Sequence, residues 1–218
     1  GSYGLTRVYA DGLFSGSHSD GFVTWYCDLT PFVTAGQPCL LTISIENQDE
    51  VSTFNQGGLV RPLSLIALPD PHLTRLHVET LFDENSDHAT LQVLFGAAAA
   101  PDVSFCEPVR LNLSLFDPDD NLVFQAQEPV SLVLHQLNPC FSYPVHCPVK
   151  WDAEHPNLYR LQAELQSGDT VIEKVSRKFG FRSIRREGNH LYVNGDEVKL
   201  RGVCRHDISP LNGRTVTE

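Results

Sequence analysis

The sequence predicts an all-β protein built from antiparallel sheets. Short runs of alternating apolar and polar residues recur along the chain, and no window of eleven or more residues keeps the 3.6-residue period of an amphipathic helix. Glycine, proline, asparagine and aspartate separate these runs, as turns between antiparallel strands require. With 218 residues, of which 41% are apolar, the chain has the length and composition of a globular protein of one or two domains.

Three runs alternate strictly enough to predict strands with one face on a core and the other face in water. The positions predicted to face the core are Leu76, Val78, Thr80 and Phe82 in the first run, Leu111, Leu113 and Leu115 in the second, and Leu161, Ala163 and Leu165 in the third. Strands of this kind are typical of a β-sandwich.

Turn residues between the runs predict three hairpins. Residues 117–121 and 167–169 each separate two apolar runs. Asn194–Gly195 is the strongest two-residue turn signal in the chain, because both central positions of a type I′ turn need a positive φ. It is predicted to join a strand over 191–193 to a strand over 198–200.

Prolines indicate the domain limits. Pro69-Asp70-Pro71 is a stiff connector that cannot donate into a ladder, so we place a first domain at 1–70. A second domain at 71–182 has the size of an immunoglobulin-like β-sandwich. The alanines at 97–100 are too few to nucleate a helix and are predicted to form a loop. The remaining residues, 183–218, are too few to bury a core alone.

Charge excludes two classes of partner. Sixteen lysines and arginines against 27 aspartates and glutamates give a net charge of −11. Such a surface repels phosphate backbones and anionic headgroups, so we expect neither nucleic acid nor a membrane as a partner. No apolar stretch approaches the length of a membrane span. The chain begins with Gly1 and lacks methionine, so we expect a piece of a longer protein and leave its compartment open, cytoplasmic or periplasmic and secreted.

The six cysteines predict thiols rather than a disulfide scaffold. They are few for 218 residues and form no Cys-x-x-Cys pair. Cys140, His146 and Cys147 lie close together in the sequence, but without a second pair their spacing differs from that of structural zinc sites. We therefore predict no metal site in this chain.

Longer strings carry a resemblance to a known family. Residues 148–159 read Pro-Val-Lys-Trp-Asp-Ala-Glu-His-Pro-Asn-Leu-Tyr, residues 179–182 read Phe-Gly-Phe-Arg, and residues 199–206 read Lys-Leu-Arg-Gly-Val-Cys-Arg-His. In order and spacing these strings closely resemble glycoside hydrolase family 2. More loosely, residues 22–28, 29–32 and 35–36 resemble the late strands of that family's sugar-binding jelly roll, and residues 57–61, Gly-Gly-Leu-Val-Arg, resemble the exit from it.

The resemblance implies a fold for each part of the chain. It implies the C-terminal part of a jelly-roll sugar-binding-like domain over 1–70 and a complete immunoglobulin-like sandwich over 71–182. Residues 183–218 would begin a TIM-barrel catalytic domain, a (β/α)8 barrel, with Leu200–Val203 as its first strand. Trp151 and Tyr159 are expected to seal the bottom of the sandwich by packing in its core. Gly180 indicates close backbone approach at an interdomain joint.

The resemblance also implies an activity, the retaining hydrolysis of terminal β-glycosides. Pro210-Leu211-Asn212-Gly213-Arg214 looks most like the β-galactosidases, so a β-D-galactoside is the expected substrate. Cys204 stands where that family usually has asparagine, and 207–209 read Asp-Ile-Ser where many β-galactosidases have Glu-His-His. A β-glucuronidase or β-mannosidase of the same family, or a free-standing β-sandwich binding module, therefore remains an alternative.

Two residues are the expected substrate-binding residues. By resemblance, His206 matches a histidine that contacts the sugar, at the C-terminal end of a barrel strand where active sites lie. Arg205 beside it is expected to be a buried residue that pairs with a carboxylate. The resemblance places both catalytic glutamates beyond residue 218, so we assign no catalytic residue and expect no activity of this chain alone.

The Mg²⁺ and Na⁺ that the family often uses would be bound mainly by absent residues, so no cofactor is assigned. A homo-oligomer is the expected assembly, because the family often associates through these domains.

Overall fold

A computed structural model describes residues 2–19, 23–46, 58–59, 62–82, 88–100, 103, 105, 107–133, 137–205 and 207–211. Within these residues the regular structure consists of β-strands and one turn of 3-10 helix at Thr30–Phe32, so the predicted all-β fold is confirmed. None of the described residues forms a helix long and apolar enough to cross a membrane. The chain divides into two compact units, Gly1–Ala67 and Leu68–Glu218.

The first unit contains a three-stranded antiparallel sheet and one short strand pair. The strands are β1 (Ser2–Tyr3), β2 (Leu5–Ala10), β3 (Leu13–His18), β4 (Leu41–Glu46) and β5 (Gly58–Leu59). In the sheet, β2 lies between β3 and β4, while β1 pairs with β5. Alternate residues of the central strand are buried, Val8 and Ala10 among them.

The strand expected over 22–28 is not formed. Phe22 lies outside the described residues, and 23–28 have no regular secondary structure. A strand is defined by its hydrogen-bonded neighbour, and none of the described residues pairs with this segment. The likeness to late jelly-roll strands was therefore wrong about the local structure of 23–28.

The second unit is built on an immunoglobulin-like β-sandwich of seven antiparallel strands in the described residues. The strands are β6 (His72–Phe82), β7 (Ala89–Ala98), β8 (Val109–Phe116), β9 (Leu122–Pro129), β10 (Phe141–Val145), β11 (Tyr159–Ser167) and β12 (Thr170–Phe179). One sheet has the order β10-β7-β6 and the other the order β12-β11-β8-β9, the three-plus-four arrangement of this architecture.

The core lies between these two sheets, where the alternation predicted it. All six predicted inward positions of β8 and β11 are fully buried: Leu111, Leu113, Leu115, Leu161, Ala163 and Leu165. They belong to one cluster with Leu91, Val93 and Phe95 of β7. On β6, Leu76, Val78 and Phe82 are half-buried and pack against the same cluster. The predicted register of these strands relative to the core is confirmed.

The hairpins at 117–121 and 167–169 are also confirmed, because they join β8 to β9 and β11 to β12. In the first turn, Asp117 Oδ1 accepts the backbone N–H groups of Asp119 and Asn121 at 2.9 and 2.8 Å. Hydrogen bonds from the side chain and backbone of Asn121 lower the pKa of the Asp117 carboxyl group. This carboxylate therefore fixes the turn through its charged form.

The loop predicted over 97–100 is wrong for its first half. Ala97 and Ala98 are the last residues of β7 and pair with Leu73 and His72 of β6. Both alanines are buried. Pairing with β6 therefore extends the strand through both alanines, a tertiary effect that overrides the low strand propensity of alanine.

A third sheet follows the sandwich. It has the order β13-β14-β15, with β13 (Ile184–Glu187), β14 (His190–Val193) and β15 (Asp196–Val198). The predicted two-residue turn is confirmed, with φ of 54° at Asn194 and 92° at Gly195. It pairs Val193 with Asp196, so the second strand spans 196–198 rather than the predicted 198–200.

The predicted first barrel strand over 200–203 is not formed. Residues 199–205 have no regular secondary structure, and Leu200 and Val203 are 83% and 91% exposed. The apolar pattern here matches that of a strand, but within the described residues no neighbour offers it a ladder of hydrogen bonds.

Candidate functional site

Two of the strings singled out in the sequence, residues 148–159 and 179–182, meet at one junction after the sandwich. Lys150 forms a parallel bridge with Phe181, and the Trp151 backbone N–H donates to the Phe181 carbonyl oxygen at 2.8 Å. Gly180 lies against Trp151 so closely that a Cβ added to it would stand 2.4 Å from the Trp151 Cβ. The close approach predicted at Gly180 is confirmed, but its neighbour is the Trp151 side chain of the same predicted domain, not a segment that follows the sandwich.

Trp151 holds this junction rather than filling the core. Its side chain is half-buried and lies outside the cluster of buried core residues. The Arg182 guanidinium lies over its ring, 4.5 Å from the ring centroid, in a cation–π contact. The expected core packing of Trp151 was therefore wrong, because the alternation rule applies inside strands and Trp151 lies in a loop.

Tyr159 does pack in the core, as expected. It is 4% exposed, and its ring meets the Phe181 ring edge-on at 4.7 Å. Its hydroxyl oxygen accepts the Val149 backbone N–H at 3.0 Å, which ties the loop before β11 to the sandwich. Burial raises the pKa of the Tyr159 hydroxyl group, so it stays a neutral phenol at ordinary pH.

Asn194 ties the third sheet to the same junction. Its side-chain amide donates to the Trp151 carbonyl oxygen at 2.9 Å, and its Oδ1 accepts the Ser183 backbone N–H at 3.0 Å. Its own backbone N–H donates to the Ser183 carbonyl oxygen at 3.0 Å. From the sequence, Asn194 had only the role of a turn residue. Its side-chain role went unrecognised, because a turn signal gives no information on distant partners.

Replacing Asn194 with glycine is expected to lower the free energy of unfolding by about 1–3 kcal/mol. Glycine keeps the positive φ but leaves the Ser183 N–H and the Trp151 carbonyl without this partner. Asn194→Asp is the matched variant, because it keeps the acceptor for Ser183 and loses the donor to Trp151. In urea unfolding, Asn194→Asp should lower the free energy of unfolding by less than Asn194→Gly does. Equal stability of both variants and the wild type would contradict a role of this side chain in fixing the hairpin.

Of the two predicted substrate-binding residues, the structure describes Arg205. His206 lies outside the described residues. Arg205 pairs with a carboxylate, since its Nε stands 2.6 Å from Asp207 Oδ1, but the two side chains are 78% and 56% exposed. The expected burial of Arg205 was wrong, because no described element covers residues 199–205. Substrate contact by either residue stays a prediction.

The three residues considered for zinc do not form a metal centre in the described part of the chain. No group of three or more histidine, cysteine, aspartate or glutamate side chains there could hold a metal ion. Cys140 and Cys147 are exposed free thiols. His146 instead faces His88. The described residues likewise offer no carboxylate cluster that fits Mg²⁺ or Na⁺, so no reaction step is assigned to either ion.

The sequence model of glycosyl hydrolases family 2 matches residues 71–182, which cover the sandwich and the Trp151 junction up to Arg182.

Solved structures resemble the whole chain. A β-glucuronidase from Parabacteroides merdae shares 26% identity over 100% of this chain, with a TM-score of 0.82. A β-glucuronidase from Bacteroides uniformis shares 24% identity over 99% of it, with a TM-score of 0.83. A β-galactosidase candidate from Bacteroides fragilis shares 18% identity over 100% of it, with a TM-score of 0.78. This chain spans 29%, 28% and 34% of those three chains, respectively.

Proposed function

Because the chain belongs to glycosyl hydrolases family 2, we propose that it is the framework part of a glycosidase that hydrolyses terminal β-linked glycosides. The observation that carries this proposal is the junction at Trp151. The Asn194 amide fastens the hairpin that leads into residues 199–211 to the loop carrying Trp151, and Gly180 and the Tyr159 hydroxyl group hold that loop against the sandwich. A rigid joint of this kind suits a domain that supports a following catalytic domain.

In this proposal the described residues support the catalytic domain and supply none of the reacting groups. Retaining hydrolysis needs two carboxyl groups about 5–5.5 Å apart, one as nucleophile and one as acid and base. We place both groups outside this chain, since none of its strings resembles the family's catalytic glutamates. His206 and Arg205 remain our proposed contacts to the sugar, and a carbohydrate is the proposed partner.

For the substrate we put β-D-glucuronides first. The likeness to the Parabacteroides merdae β-glucuronidase, at 26% identity over the whole chain, supports this choice. β-D-Galactosides are the second candidate, because residues 210–214 carry the Pro-Leu-Asn-Gly-Arg string that resembles β-galactosidases. The similarity to the Bacteroides fragilis protein supports the fold alone.

The test is an assay of the protein encoded by the complete reading frame that contains this chain. Chromogenic β-glucuronide, β-galactoside and β-mannoside are supplied side by side, and we expect turnover of the glucuronide above the other two. Turnover of the galactoside above the glucuronide would select the second candidate. Failure to hydrolyse any of the three would overturn the proposed activity, and turnover by the 218-residue chain alone would overturn its supporting role.

A further inference from the structure

Two histidines face each other at one end of the smaller sheet of the sandwich. Strands β10 and β7 are antiparallel, and their last pair at this end is Val145 opposite Ala89. His146 and His88 are the next residues on each strand, so the ladder places them directly across from one another. Both side chains are exposed to solvent.

The two imidazoles are within hydrogen-bonding distance of each other, and this separation is also close to that of two nitrogens bound to one metal ion. The Nδ1 atoms lie 3.2 Å apart, and the ring centroids lie 4.9 Å apart with the ring planes at 86°. Two nitrogen atoms bound to one tetrahedral zinc ion, each at about 2.0–2.1 Å, stand about 3.3–3.4 Å from each other. A metal ion could therefore bind both Nδ1 atoms with little movement of either ring.

We propose that His88 and His146 form a two-imidazole binding site for a divalent transition metal ion. Imidazole suits Cu²⁺, Ni²⁺ and Zn²⁺, and the general order of affinities places Cu²⁺ first. Among the described residues no third histidine, cysteine, aspartate or glutamate joins this pair. The net charge of −11 raises the local concentration of cations.

The bound ion would join the ends of β7 and β10. His88 precedes the first residue of β7, and His146 follows the last residue of β10. A chelate across these positions restrains an end of the ladder that the described strand pairing leaves open. The site is independent of glycoside hydrolysis, so its test does not depend on the proposed activity.

Isothermal titration with CuCl₂ tests the site on the 218-residue chain after its free thiols have been alkylated with iodoacetamide, because free thiols bind and reduce Cu²⁺. The buffer contains glycine as a weak competitor. We expect one strong site in the wild type. His88→Asn and His146→Asn should each weaken it by at least about tenfold, because one imidazole alone loses the advantage of the chelate. His77→Asn is the matched control, since the His77 ring is also exposed on a strand of this sheet but faces Glu79. It should leave the strong site unchanged.

Electron paramagnetic resonance of the Cu²⁺ complex gives a readout that does not depend on folding of the variants. The wild-type spectrum should carry superhyperfine splitting from two equivalent imidazole nitrogens, and this splitting should simplify in either single variant. Far-UV circular dichroism identifies a variant that fails to fold. In that case the electron paramagnetic resonance spectrum of the wild type alone decides whether two imidazole nitrogens bind the ion. Equal Cu²⁺ affinity of wild type, His88→Asn and His146→Asn, or a wild-type spectrum without two imidazole nitrogens, would overturn the proposal.

Discussion

Phe181→Ala is expected to lower the free energy of unfolding of the sandwich by about 3–5 kcal/mol, the usual cost of removing a buried aromatic ring. Phe181 is fully buried and belongs to the core cluster. Its ring meets Tyr159 at 4.7 Å and Phe179 at 5.3 Å between centroids. Truncation would leave a cavity where the core meets the Trp151 junction. The packing of the core and the contacts of the junction should therefore weaken in the same variant.

Urea unfolding followed by the fluorescence of Trp151 measures this loss. The chain has two tryptophans, and a Trp25→Phe background leaves Trp151 as the reporter of the second unit. Phe181→Leu keeps most of the apolar volume and should cost less than about 1.5 kcal/mol. Leu200→Ala is the surface control, since Leu200 is 83% exposed, and should stay within about 0.5 kcal/mol of wild type. A loss below 1 kcal/mol for Phe181→Ala would contradict the core role of this ring.

Local sequence rules predicted the sandwich well, because its strands obey a period of two on a common core. The alternation at 111–115 and 161–165 placed every inward side chain correctly. The Asn194–Gly195 turn was predictable because its backbone requirement is local, a positive φ at two successive residues. Both signals are contained within a few residues, and neither needs knowledge of a distant neighbour.

The predictions that failed concern segments whose structure depends on pairing with residues far away in the sequence. The run at 200–203 has the apolar pattern of a strand, but a strand forms only beside a partner, and Leu200 and Val203 are exposed in the structure. Ala97 and Ala98 extend β7 because β6 pairs with them, which their composition does not indicate.

The candidate site was predictable in part. The strings located the residues of the Trp151 junction, and Gly180 indicated a close approach. The identity of the residue that Gly180 meets depends on the tertiary fold, and so does the hydrogen bond from the Asn194 side chain to Trp151, which lies 43 positions away in the sequence. His206 lies outside the described residues, so its predicted role rests on the resemblance alone.

Gly180→Ala is expected to destabilise the second unit by about 3 kcal/mol, at the upper end of what one added methyl group costs in a packed site. The new Cβ would stand 2.4 Å from Trp151 Cβ and 2.6 Å from Trp151 Cγ. These atoms are next to the backbone and cannot move aside as the end of a flexible side chain could. The loop carrying Trp151 would have to shift, weakening its hydrogen bonds to Phe181 and Asn194.

Gly202→Ala is the matched control for this substitution, because nothing lies within 4 Å of its added Cβ. It should change the free energy of unfolding by no more than about 0.5 kcal/mol. The steric explanation is tested by repeating Gly180→Ala in a Trp151→Gly background, followed by circular dichroism. Trp151→Gly removes the atoms that the new methyl group would strike, so there Gly180→Ala should cost less than about 1 kcal/mol. An equal cost in both backgrounds would mean that the need for glycine at position 180 arises from its own backbone and not from the tryptophan beside it.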